Sequence, residues 1–228
     1  MVEINRTIDP EKNIAEISFS SPASFETVKY CIDFPKELHG KYILDIGGGA
    51  SSATFELRKR GAIAYAVDYR YKDLKDLKRS VDKYLLGDSI TRSMSADDKF
   101  YANAQRRSRN TFFETVDKTG YNYYIAALAG NLPFKDSMFD LCFSVQAVTR
   151  FLIQDYDVFI DSVKEGLRVL KPGGELQLQP WLGSRLAPWP IEWRKTATNL
   201  HTHLREKGIK YTIEETLPQA SPRLRITK

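Results

Sequence analysis

The chain has 228 residues, 42% of them hydrophobic, and 34 Lys and Arg against 29 Asp and Glu give a net charge of +5 and a pI near 9.0. That length buries one substantial α/β core and leaves a second full domain cramped. The opening residues carry no basic-then-apolar leader, and no stretch approaches the roughly 20 apolar residues of a membrane span, so a cytoplasmic protein with no membrane partner is expected. Two cysteines, Cys31 and Cys142, cannot build a disulfide framework, lack metal-ligand spacing and read as core residues.

Glu3 to Ile8 and Ile14 to Phe19 alternate weakly around Asp9–Asn13, which predicts a small hairpin. Ser21-Pro22 then introduces a helix from Ala23 to about Phe34, ended by Pro35, with Phe25 and Tyr30 as candidates to face a pocket. Tyr42, Ile43, Leu44 and Ile46 form a short strand buried on both faces, and it runs directly into Gly47, Gly48 and Gly49. Three glycines let the backbone turn sharply and approach a ligand where a Cβ would collide. A second apolar strand, Ala62 to Val67, ends in Asp68, nineteen residues after Gly49. A carboxylate there is placed to accept hydrogen bonds from both hydroxyls of a ribose, or to cap the following helix.

The middle of the chain is the least compact part. From Arg70 to Lys118 there are twelve Lys or Arg and eight Asp or Glu, a net +4, so almost all the excess charge sits here. Residues 75–119 show helical patterns without a strand pattern, and so long a connection predicts a lid or binding element. Its densest cluster, Arg106, Arg107 and Arg109, suits phosphate or carboxylate contact or a solvated helix face. Gly130-Asn-Leu-Pro-Phe134 precedes a strand from Phe139 to Ser144. Val163, Leu167 and Leu170 then share a helical face, Pro172 stops that helix, and Gly173 and Gly174 turn the chain into a strand from Glu175. Pro180 to Trp193 holds all three tryptophans, a rigid aromatic segment suited to a substrate wall that excludes water. A helix from Glu192 to Glu206 and two short strands, Lys210 to Leu217 and Arg223 to Thr227, complete the chain.

The glycine turn, the acid at Asp68, the Leu132-Pro-Phe134 segment and Val169-Leu-Lys-Pro-Gly-Gly174, in this order from about Lys41 to Leu178, resemble the class I S-adenosylmethionine-dependent methyltransferases. The resemblance implies an α/β, doubly wound, mostly parallel seven-stranded Rossmann-like sheet with a helical insertion and a terminal antiparallel pair. It also implies residues 1–40 as a hairpin and cofactor-covering helix, residues 41–228 as the methyltransferase domain, and about 75–119 as a lid or substrate-binding element.

In that frame Asp45 supports the turn and the amino-acid end of S-adenosyl-L-methionine, Gly47, Gly48 and Gly49 let it approach, and Asp68 binds its ribose. Tyr69 covers one adenine face, and Ser51 in the turn and Ser144 at the end of the bordering strand are further cofactor contacts. Two positions depart from the family pattern. Ser51 stands where a third glycine is common, and Leu128 where an aspartate commonly meets the adenine amino group, which leaves adenine to Ala129, Gly130 or Asn131. The stretch from Ser144 to Arg150 lacks the substrate-facing histidine of many members, so no catalytic residue is assigned. Arg150, Tyr30 and Trp181 are the candidates for substrate contact.

The expected function is methylation, at oxygen or nitrogen, of a small anionic molecule. The pI and the basic insertion support methylation of nucleic acid or protein as an alternative. No Asn/Asp-Pro-Pro-aromatic motif for base amines and no Pro-Cys nucleophile for pyrimidine carbons is present. An enzyme that cyclises the cofactor's own aminobutyrate chain, a nicotinamide-dependent oxidoreductase and a non-enzymatic binding module are further alternatives, of which the oxidoreductase leaves the Leu-Pro-Phe and Leu-Lys-Pro-Gly-Gly segments unexplained.

Overall fold

The computed structural model describes residues 23–86, 96–120, 122–181, 190–214 and 222–228; the hairpin expected before residue 20 lies outside them. Seven strands form one sheet: β1 Tyr42–Ile46, β2 Ile63–Val67, β3 Tyr124–Ile125, β4 Phe139–Val145, β5 Leu170–Gln179, β6 Lys210–Glu214 and β7 Arg223–Thr227, in the spatial order β3-β2-β1-β4-β5-β7-β6. The first five are parallel, and β7 pairs antiparallel with both β5 and β6. This is the doubly wound, mostly parallel sheet that the sequence predicts. Among the described residues no helix is long and apolar enough to cross a membrane.

Alternation along the central strands divides their side chains between two cores. Leu44 and Ile46 of β1 and Cys142 of β4 enter one cluster, while Ile43, Leu141 and Phe143 enter the opposite one. The first cluster is covered by α5 (Tyr156–Val169) and α6 (Ile191–Glu206), through residues such as Phe159, Val163 and Leu200. The second is covered by α1 (Phe25–Cys31) and α2 (Ala53–Lys59), through Phe25, Val28 and Leu57.

Helix α1 is capped by Ser24, whose Oγ accepts the Thr27 N–H at 3.2 Å, and it ends three residues before the expected Phe34. The cause is Gln177 on β5. Its side-chain amide takes both the N–H of Asp33 (2.8 Å) and its carbonyl (3.0 Å), replacing the helical partners. Helix α5 likewise stops at Val169, so Leu170 is the first residue of β5 and not the last of a helical face. Strand β5 then bulges: Phe139 pairs with Leu170 but Leu141 pairs with Glu175, and regular pairing starts at the expected Glu175. Gly173, at φ +78, lies in that bulge.

The insertion is packed more firmly than its charge suggests. It forms α3 (Leu74–Leu86) and α4 (Ala96–Thr119). Leu77, Val81 and Leu85 of α3 meet Phe112, Phe113 and Val116 of α4 in a buried cluster with Tyr71 and Tyr124. Arg109 is bound on its Nε and Nη2 by the two carboxylate oxygens of Asp82, each at 2.9 Å, so it is not available to a phosphate as the cluster reading required. Arg106 and Arg107 remain exposed.

Candidate cofactor site

The chain runs from β1 outward through β2 to β3, then returns to place β4 on the other side of β1. The crevice beyond the strand ends at such a reversal is where doubly wound sheets bind ligands. Here it is shaped by the glycine turn. Gly47 (φ +77) and Gly49 (φ +52) adopt left-handed backbone, and the N–H groups of Gly47 and Gly48 both reach the Val67 carbonyl, at 2.8 and 3.2 Å. A Cβ on Gly47 would lie 2.1 Å from that of Ala147, just beyond β4. One on Gly48 would lie 3.0 Å from Ala66 Cβ and from Tyr71 Oη, and 3.1 Å from Asp45 Oδ2.

Asp68 links this turn to the next element. Its Oδ2 accepts the Gly49 N–H at 3.0 Å, and its Oδ1 accepts the Arg70 N–H at 2.8 Å, capping the 3-10 turn Tyr69–Lys72. The capping alternative is therefore realised. Each oxygen still has a lone pair for a sugar hydroxyl. Burial raises the Asp68 pKa, opposed by those two amide bonds and by the Arg70 guanidinium. Asp45 is only 4% exposed, and burial, reinforced by the negative charge of Asp68, pushes its carboxyl up to about 8. Tyr71 lies beneath, its hydroxyl donating to the Gly49 carbonyl at 2.8 Å.

Tyr69 is half-buried directly after Asp68, with the Lys72 ammonium 3.6 Å from its ring centroid and bonded to its hydroxyl. Leu128 to Asn131 form a tight turn in which the Asn131 N–H donates to the Leu128 carbonyl at 3.0 Å, and Leu128 itself is 45% exposed. The following Leu132 is gripped by α5: its N–H donates to Glu165 Oε2 at 2.8 Å, and its carbonyl accepts Arg168 Nη2 at 2.9 Å. Ala129 and Gly130 are thus presented on a rigid arm.

Two serines support the site through their hydroxyls. Ser51 Oγ donates to the Ala23 carbonyl at 2.9 Å and accepts the Ala53 N–H at 3.1 Å, so the hydroxyl ties α1 to the turn. Ser144, fully buried, accepts the Val148 N–H at 3.1 Å and fixes the π-helical turn Val148–Leu152 beyond β4. Ser108, on α4, was not legible in the sequence. Its Oγ accepts the buried Ser52 N–H at 2.8 Å and donates to the Ala23 carbonyl at 2.7 Å, joining insertion, turn and α1.

The acceptor candidates separate. Arg150 is exposed in the π-helical turn, with Nη1 3.5 Å from Gln146 Oε1. Tyr30 is 64% exposed, whereas Phe25 and Val28 are the buried residues of α1. Trp181 is wholly buried, near-parallel to Phe159 at 6.2 Å, with its indole N–H donating to His201 Nε2 at 3.2 Å. It is a core residue and not the expected substrate wall. Residues 182–189 of that segment lie outside the described residues.

A doubly wound sheet whose switch point carries a glycine turn and a strand-end acid is the arrangement in which such folds commonly bind ligands. Residues 92–178 match the family model of a methyltransferase domain, a stretch that starts beyond the glycine turn and takes in β3, β4 and nearly all of β5. No curated protein matches the chain. A SAM-dependent methyltransferase from Aquifex aeolicus superposes with a TM-score of 0.50 at 17% identity, over 96% of this chain and 97% of that one. A Methanococcus maripaludis protein assigned to the same enzyme class gives 0.50 at 16% identity, over 100% and 97%. These two likenesses are of fold. The family match over residues 92–178 and these two folds make the chain similar to S-adenosylmethionine-dependent methyltransferases.

Proposed function

We propose that the enzyme methylates an oxygen or nitrogen of a small anionic molecule. In this reading Asp68 accepts the ribose hydroxyls, Asp45 and the glycine turn hold the amino-acid end, and adenine lies between Tyr69 and Leu128 beside Ala129, Gly130 and Asn131. Two features support S-adenosyl-L-methionine as that cofactor: the glycine turn lies at the switch point, and Asp68 retains acceptor capacity after its two amide bonds. The cofactor supplies an electrophilic methyl group on a sulfonium. A dinucleotide fits less well, because Ser108 and Ser51 already cap the Ser52 and Ala53 N–H groups at the start of α2, donors of the kind a pyrophosphate would use.

The observation that carries the anionic acceptor is Arg150, a guanidinium exposed in the turn directly after β4, one of the two strands that flank the crevice. No histidine base accompanies it: His39 packs at Gly61, and His201 stacks on Tyr211 at 5.0 Å. Transfer then depends on placing the acceptor in line with the methyl, which orientation alone accelerates greatly. In the same reading α1, tied to the turn and to the insertion through the Ala23 carbonyl, lies beside the cofactor, and 41–228 is the catalytic domain. Within 75–119, the lid or substrate-binding element, the packing of α4 favours a wall of the site. Ser108 lies level with the turn, and α4 runs twelve residues further in the N-terminal direction, roughly 18 Å at 1.5 Å per residue.

The test is incubation with methyl-labelled S-adenosylmethionine and separated small-molecule, nucleic-acid and protein fractions of a cell extract. Label in an acidic small molecule is expected. Label confined to nucleic acid or protein would overturn the acceptor assignment, and label only in a cyclised cofactor fragment would overturn methyl transfer to an external acceptor.

A further inference from the structure

Among the described residues two that are not glycine have left-handed backbone, Ser137 (φ 56) and Gln146 (φ 64). Ser137 lies in the turn before β4, at the far end of the strand from the crevice. Gln146 follows β4 at the switch point, next to the Ala147 whose Cβ fills the space above Gly47. A glutamine is strained in this region, where glycine is not.

The backbone at this position does two things: the Gln146 N–H donates to the Gln179 carbonyl at 2.7 Å, joining the ends of β4 and β5, and the chain then turns to seat Ala147. Neither uses the side chain, and glycine would serve both without strain. The side chain is half-buried, and its Oε1 lies 3.5 Å from Nη1 of the exposed Arg150. Among the described residues its Nε2, with two N–H donors, has no acceptor. Backbone strain held at a crevice in this way is a mark of a side chain being aimed.

We propose that Gln146 is an acceptor-binding residue, which together with Arg150 grips an acid at two points. The guanidinium takes the carboxylate or phosphate, and Nε2 donates to a second oxygen or nitrogen of the same molecule. The acceptor is therefore an acid that also carries a neutral hydrogen-bond acceptor close to its charge. This inference rests on the acceptor reading given above.

The experiment compares wild type with Gln146→Gly and Gln146→Asn in three measurements: thermal unfolding, calorimetric affinity for S-adenosylhomocysteine, and label transfer from methyl-labelled S-adenosylmethionine to the small-molecule extract fraction. Gln146→Gly should raise the unfolding midpoint by about 2–6 °C. It should leave the S-adenosylhomocysteine affinity within about twofold and lower label transfer by at least about tenfold. Gln146→Asn, which tolerates this backbone and keeps a shorter amide, should fall between. An unchanged or lower midpoint in Gln146→Gly overturns the strain argument. Undiminished transfer overturns the acceptor role, and transfer that falls only with S-adenosylhomocysteine affinity assigns the residue to the cofactor instead. Wild type that binds S-adenosylhomocysteine but labels no small molecule overturns the acceptor reading, and this inference with it.

Discussion

Gly47 and Ala147 meet at the ends of β1 and β4 so closely that a methyl group on the former would stand 2.1 Å from the methyl of the latter. Gly47→Ala must therefore push the two strand ends apart, and it also forces alanine into φ +77. We expect destabilisation on the order of 2–4 kcal/mol and loss of S-adenosylhomocysteine binding. A double-mutant cycle checks the cause: Ala147→Gly should recover much of the stability of Gly47→Ala but none of its φ penalty. No recovery would show that another contact is responsible.

Asp68 joins the glycine turn to the 3-10 turn through one oxygen each, and the proposed ribose contacts use the remaining lone pairs. Asp68→Asn keeps the shape and one accepting oxygen, whereas Asp68→Ala removes both. Calorimetry should show S-adenosylhomocysteine affinity falling by about 1.5–3 kcal/mol in Asp68→Ala and by less in Asp68→Asn. Equal affinities in folded variants would remove the ribose assignment.

Ser108 accepts a buried amide, and nothing in alanine replaces that acceptor. Ser108→Ala should cost about 1–3 kcal/mol in urea unfolding and weaken S-adenosylhomocysteine binding, because Ser52 borders the turn. Lowered stability with unchanged affinity would confine Ser108 to holding α4 in place.

Asp45 sets a pH dependence of unusual sign. Its folded pKa is raised to about 8, so the fold favours the neutral acid. Its contribution is complete below the ordinary carboxylate pKa and is lost as pH rises through about 8. Unfolding of the ligand-free protein in urea should show stability falling between about pH 5 and about pH 8.5, and Asp45→Asn should remove most of that slope. Glu214 has the opposite sign. Burial tends to raise its pKa, but hydrogen bonds and charge from Arg225 and Arg223 hold it near 2, so its contribution is full above the ordinary carboxylate pKa and is lost as pH falls from there through about 2.

What the sequence discloses follows from the range of the forces involved. Strand β2 is legible because its apolar residues run without a break and end in an acid, and β1 and β4 are legible because buried apolar residues outnumber Asp45 in the one and Asp140 and Ser144 in the other. The insertion's packing was also written there: Leu77, Val81 and Leu85 recur at four-residue spacing, and Phe112 and Val116 repeat it, but the surrounding lysines and arginines masked the stripe. The fate of Trp181 was not legible, since a proline-bounded aromatic reads the same on a loop or under one. Ser108 and Ser52 are 56 positions apart, and a single hydroxyl leaves no periodic trace. Nor does composition reveal which glutamine will be forced into left-handed backbone.

Asp33, just beyond α1, is fastened by Gln177 of β5 and by Arg225 of β7, the latter 192 positions away at 2.8 Å, and Arg223 reaches the Cys31 carbonyl nearby. Synthesis proceeds from the N-terminus, so α1 emerges from the ribosome long before the strands that anchor its exit. That fastening is a late event, because β5 and β7 follow every core residue on which the apolar side of α1 packs: Phe25 and Val28 share a cluster with Ile43, Leu57, Leu141 and Phe143. A chain made only as far as β4 already carries the seat of its first helix but not the clamp on that helix's exit.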